Sequence, residues 1–142
     1  MAGYSGSPLP KKLGMKPGFQ VLLWNAPESF PEMRGEATKE LMLVRQIDNA
    51  GAFDVIMLFT DARADLQKAF VKLARRLTPA GGLWVAWPKK ASGVATDLTE
   101  DIVRGIGLKA GLVDNKVCAI DEVWSGLRFV IRLADRPKQK AK

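Results

Sequence analysis

The chain predicts an α/β domain: a small three-layer sandwich with a mostly parallel sheet and an antiparallel C-terminal strand pair. Three observations predict it. Phe53 to Phe59 and Leu83 to Trp87 are nearly unbroken apolar runs of strand length, as expected of strands covered on both faces. Between them Leu66, Ala69, Phe70, Leu73 and Leu77 recur at helical spacing, so strand and helix alternate with right-handed crossovers. After a further helix come two apolar stretches, Leu112 to Ile120 and Trp124 to Leu133. Their link is too short for a parallel return, so they run antiparallel.

Each element follows from local chemistry. Residues 1–18 read as an N-terminal arm. Its first nine residues are mostly turn formers, Leu9 to Gly14 suits one helical turn, and Lys16-Pro17-Gly18 turns into a strand, Phe19 to Trp24. Pro27, Pro31 and Gly35 make the next stretch a loop. Leu41 to Ile47 suits either a strand or the end of a helix starting near Glu36. The helix after Phe59 is expected from Asp61, a candidate N-cap, to Leu77, with Lys68, Lys72, Arg75 and Arg76 mostly on its polar side. Thr78-Pro79-Ala80-Gly81-Gly82 reads as the turn that stops it. Pro88 ends the following strand. A basic loop leads to a helix that opens near Thr96 and buries Leu98, Ile102, Val103 and Ile106. Asp97 and Glu100 have capping-box spacing, Thr96 and Thr99 are the other candidate caps, and Gly107 and Gly111 mark the end. The α/β domain thus covers 19–133, and 134–142 form a basic tail.

With 142 residues the chain is most simply one domain with a core that needs no disulfide or metal. The net charge of +7 sits at the ends. Lys11, Lys12 and Lys16 give +3 before Phe19, and residues 132–142 give +4. The body between them carries 14 basic and 14 acidic residues. A tail such as Pro-Lys-Gln-Lys-Ala-Lys reads first as a solvated end, with phosphate contact to nucleic acid as its less favoured use. No apolar run is long enough to span a bilayer, and the first 17 residues lack the apolar core of a secretory signal. One cysteine makes no internal disulfide, which fits the cytoplasm. Histidine is absent, which excludes Ser-His-Asp and Cys-His nucleophile systems, His-based zinc sites and His proton shuttles.

The candidate site is the stretch around which the rest is organised, Gly82 to Arg104. In a doubly wound sheet, ligands bind beyond the carboxyl ends of parallel strands. Pro88-Lys89-Lys90-Ala91-Ser92-Gly93 occupies such a place. Lys89 and Lys90 would neutralise a small anion, Ser92 would donate a hydrogen bond, and Gly93 would turn backbone N–H groups inward. Asn25 and Glu28 after the first strand, with Thr60 and Asp61 after the second apolar run, would face the same crevice. Trp24 and Trp87 stand at strand ends and could wall it, whereas Trp84 and Trp87, three apart, point to opposite faces. Asp114, Asp121 and Glu122 read as turn charges rather than an acid/base or metal pair, and Cys118 as a buried strand thiol.

From Phe53 to Leu133 the string FDVIMLFTD, LARRLTPAGGLWVAWPKK and GLKAGLVDNKVCAIDEVWSGLRFVIRL resembles the later strands of Rossmann-like S-adenosylmethionine-dependent methyltransferases, and LGMKPGFQVLLWNAP takes the place of their first strand. The resemblance implies the fold over roughly Leu13 to Leu133. Two departures bear on activity. The turn Leu23-Trp24-Asn25-Ala26-Pro27-Glu28 lacks the glycines of the cofactor fingerprint, and Thr60-Asp61-Ala62-Arg63 is not the Asp/Asn-Pro-Pro motif of the amino-group methylating members. YSGSPLPKKLGMKPG, WPKKASGVATDLTED and DNKVCAIDEVWSGLRFV are similar to a family of short bacterial proteins described as a domain of unknown function, which implies a bacterial, cytosolic protein.

These readings favour a non-catalytic binding or regulatory protein on a degenerate methyltransferase-like scaffold. Its small anion or nucleotide would be held by Lys89, Lys90, Ser92, Gly93, Asn25 and Asp61, with no metal and no cofactor named. The alternatives are an S-adenosylmethionine-dependent methyltransferase with an atypical cofactor site, and a nucleic-acid or protein interaction module acting through the basic termini.

Overall fold

The computed structural model describes residues 13–16, 18–27, 42–44 and 51–135. Among them six strands form one sheet in the order β2-β1-β3-β4-β6-β5. The strands are β1 (Gln20–Trp24), β2 (Met42–Val44), β3 (Phe53–Phe59), β4 (Leu77–Pro88), β5 (Leu112–Ala119) and β6 (Trp124–Ile131). The first four run parallel, and β6 is antiparallel to both of its neighbours, β4 and β5. This is the expected α/β architecture. The segment left open between strand and helix contains a strand at 42–44. The helix start near Glu36, the turn before Leu13, Glu28 and the tail from 136 onward lie outside the described residues.

Alternation of side chains sends the strands' apolar residues to two cores. Leu22, Ile56, Leu58, Leu83, Val85, Trp87 and Phe129 face one side. There they meet α1 (Arg63–Ala74) through Leu66, Phe70 and Leu73, and α2 (Glu100–Lys109) through Val103. Val21, Leu23, Val55, Met57, Phe59, Trp84 and Ala86 face the other side, where Leu13 and Met15 pack on them. Trp84 and Trp87 therefore do point apart. The Trp84 indole Nε1–H donates to the Leu13 carbonyl at 3.1 Å, which satisfies a buried polar group on each partner.

Three local expectations give way to tertiary contacts. The stretch Thr78 to Gly82 is not a turn, because β4 already starts at Leu77. It bulges, with β4 taking five steps between the pairs Phe53–Leu77 and Val55–Gly82 while β3 takes two. Gly81 is needed for close approach: a Cβ there would meet the Asp54 carbonyl at 2.9 Å, whereas one at Gly82 would meet the movable Arg128 guanidinium. Gly107 does not end α2, which runs to Lys109. It is buried in the helix, where a Cβ would overlap the Phe129 ring, and the left-handed residue after the helix is Gly111 at φ 101°. Asp61 does not cap α1. The N-cap is Ala62, without a side-chain bond, and the first helical N–H, from Arg63, goes to Asp97 Oδ1 at 2.7 Å. Thr99 caps α2 by accepting the Ile102 N–H.

Candidate functional site

The parallel register brings the carboxyl ends of β1, β3 and β4 to one rim. Leu22 pairs with Ile56 and Ile56 with Leu83, and the ends meet as Trp24–Leu58 and Phe59–Ala86. Thr60 extends the ladder by donating its N–H to the Ala86 carbonyl.

At this rim a cavity of about 290 Å³ opens between the end of β1 and α1. It is at the small end for ligand sites, which start at roughly 300 Å³. It is lined by Trp24 and Asn25 at the end of β1, Leu58 and Thr60 at the end of β3, and Asp65, Lys68, Ala69 and Lys72 of α1. Those four α1 residues follow one another at three, one and three positions, so that each lies three or four from another, one face of a helix beside its buried stripe. The Lys72 ammonium lies 5.1 Å from the centroid of the Trp24 ring, a cation–π contact that holds this charge at the wall. Asn25 has φ 59°, the only positive φ outside glycine among the described residues. An asparagine tolerates this left-handed conformation better than other side chains do. The turn that lacks a glycine in sequence is thus closed by an asparagine.

The six residues expected at a ligand site are distributed along the rim. Asn25 lines the cavity. Asp61 is exposed, and its carbonyl accepts the Thr96 hydroxyl at 2.6 Å. Lys89 to Gly93 follow β4. The Ser92 and Gly93 N–H groups donate to the Lys89 and Lys90 carbonyls, closing a single 3₁₀ turn at Lys90–Ser92. Ser92 Oγ accepts the Val94 N–H, and Gly93 closes the turn at φ 81°. Both backbone donors are therefore engaged within the turn itself. Lys90 is exposed and Lys89 half-buried, its N–H held by the Val123 carbonyl. Trp24 walls the cavity, whereas Trp87 is buried in the core on the helix side. Asp65, Lys68 and Lys72 carry no site signature in the sequence because they belong to the polar side of an amphipathic helix. Their only sequence signal is the four-residue spacing of the two lysines.

Two further groups of charges are structural. Asp121 Oδ1 accepts the N–H groups of Val123 and Trp124 and shapes the last hairpin. Asp114 and Glu100 bind Arg104 at 3.0 and 2.7 Å, and the Glu100 bond first, then Asp114, pushes the guanidinium further above its ordinary range. Among the described residues no group of His, Cys, Asp and Glu could hold a metal ion, and no helix is long and apolar enough to cross a membrane.

No protein-family model and no curated protein sequence matches the chain. Solved structures do. A SAM-dependent methyltransferase from Aquifex aeolicus is 18% identical with a TM-score of 0.59, over 86% of this chain and 87% of that one. Magnesium protoporphyrin IX methyltransferase from Synechocystis PCC 6803 with bound SAM is 16% identical at 0.59, over 87% and 74%. A TehB-like SAM-dependent methyltransferase from Corynebacterium glutamicum is 12% identical at 0.56, over 92% and 91%. The chain has the methyltransferase fold. This corrects the reading as a non-catalytic anion-binding or regulatory protein and the leaning away from an enzyme: the neighbours favour the methyltransferase alternative instead.

Proposed function

We propose that this chain is a methyltransferase that uses S-adenosylmethionine. One observation carries the reading: structures of enzymes of that name match the fold over more than four-fifths of the chain, at TM-scores of 0.59.

The residues at the rim fit the nucleoside part of such a cofactor. Trp24 offers a flat apolar wall for a base, and the Asn25 amide and the Asp65 carboxylate offer hydrogen-bond partners for ribose hydroxyls. Asn25, by its left-handed φ, supplies the tight turn for which glycine is the usual choice. When bound, the cofactor supplies an electrophilic methyl group on a sulfonium. The chain's own task is then to bind, orient and exclude water. In this reading Lys89 and Lys90, which follow β4 one strand further along the rim, would stand on the methyl acceptor's side.

Calorimetry with S-adenosylmethionine and its demethylated product S-adenosylhomocysteine tests the proposal. Micromolar binding of either, weakened at least tenfold by Trp24→Ala, supports it. Silence of both at millimolar concentration overturns it.

A further inference from the structure

The body of the chain is neutral overall, but its charge is unevenly placed. Residues 63–76, α1 and the two that follow it, hold Arg63, Lys68, Lys72, Arg75 and Arg76 against Asp65, a net +4. Residues 97–109, α2 and the loop that caps it, hold Asp97, Glu100 and Asp101 against Arg104 and Lys109, a net −1. Arg104 is matched by Glu100, Asp101 and Asp114, whereas none of the five cations of 63–76 has an ion pair among the described residues. Lys68, Lys72 and Arg75 are exposed and stand at i, i+4 and i+7, on the side away from buried Leu66, Phe70 and Leu73. At a rise of ~1.5 Å per residue they form a line of roughly 10 Å. It starts at the cavity, which Lys68 and Lys72 border.

We infer that this face of α1 binds the phosphodiester backbone of a nucleic-acid strand. Aligned cations without ion partners neutralise phosphates and release their counterions, and at ~3.4 Å per nucleotide a strand sets about three phosphates against the line. A protein partner would draw its affinity from buried apolar or aromatic anchors, and the large apolar side chain that α1 exposes is Val71 alone. A membrane surface would need an apolar helix face, and that of α1 lies in the core. The binding face stands without a cofactor; that the strand is also the methyl acceptor rests on the methyltransferase reading of the adjoining cavity.

Fluorescence anisotropy on the full chain tests this, with a mixed-sequence single strand of about 20 nucleotides, as RNA and as DNA, at ~50 mM salt. Saturable binding of either supports the inference, and their ratio tells which of the two supplies the strand. The slope of log affinity against log salt should shrink by about 0.7 in each of Lys68→Gln and Arg75→Gln. Changing Lys68, Lys72 and Arg75 together to Gln should weaken binding at least ~tenfold. All three are exposed, so thermal unfolding should match the wild type. Arg75 lies outside the cavity lining, so Arg75→Gln should leave the affinity for S-adenosylhomocysteine unchanged. Changing Lys138, Lys140 and Lys142 of the tail to Gln should leave the α1 effect in place. Binding lost in that tail variant and kept in the α1 triple variant overturns the inference, as does a folded wild type that binds neither strand. Polyglutamate competing as well as the strand overturns it in favour of an acidic protein. Strand binding that persists without any affinity for S-adenosylmethionine supports it and removes the methyltransferase reading alone.

Discussion

Asp97 and Arg63 lie 34 residues apart, yet the Asp97 carboxylate receives the first N–H of α1 at 2.7 Å. A helix start without its own side-chain cap is thus completed from the loop before the next helix. Beside it, the Thr96 hydroxyl donates to the Asp61 carbonyl, so two loops of the rim are tied at two points. Asp97→Ala is expected to destabilise the fold by about 1 kcal/mol, the usual worth of an N-terminal cap. Asp97→Asn, which keeps the acceptor oxygen, should lose less than half of that. Urea unfolding of the three proteins decides it, and equal midpoints for Asp97→Ala and the wild type would refute it.

Two glycines of α2 should respond to alanine with opposite signs. At Gly107 a Cβ would enter the ring of buried Phe129, itself packed edge-on against Phe70 at 5.2 Å. Gly107→Ala should cost about 1–3 kcal/mol by overpacking. At exposed Gly105 a Cβ meets nothing, and Gly105→Ala should add about 0.5–1 kcal/mol through helix propensity. Thermal unfolding separates them.

Trp84→Phe preserves most of the buried ring but removes the donor to the Leu13 carbonyl. The loss should be about 1–3 kcal/mol, because that carbonyl stays buried and unpaired. Hydrogen exchange should show faster opening of the segment around Leu13 than of β3. Uniform protection across the two segments would contradict this.

Asn25→Gly should leave stability within a few tenths of a kcal/mol, since glycine adopts the left-handed region without steric cost. Asn25→Val should cost at least ~1–2 kcal/mol, because a β-branched side chain is strained there. If Asn25 binds only through its main-chain turn, the glycine variant should keep its affinity for S-adenosylhomocysteine. If the amide contacts ribose, affinity should drop severalfold at unchanged stability.

What the sequence makes legible is the burial pattern. Phe53–Phe59 reads as a strand because both of its faces are covered, and Leu66, Phe70 and Leu73 read as a helix because one stripe is. What it hides depends on distant partners. Thr78 to Gly82 carries turn residues, but pairing with β3 and room for Arg128 make them a bulged strand. Asp61 looks like a cap, and the cap comes instead from Asp97. In the site, Asn25 and Trp24 were recognisable because they follow a strand into a rim. Lys68 and Lys72 were not, because a lysine facing a cavity and a lysine facing water have the same spacing.

The placing of β6 also governs the order in which this sheet can be finished. β4 and β5 flank it and do not touch as strands, so each keeps an unpaired edge until β6 joins them. Until then the apolar run of β4 presents an open backbone beside the completed β3, the kind of surface on which nascent chains cross-associate.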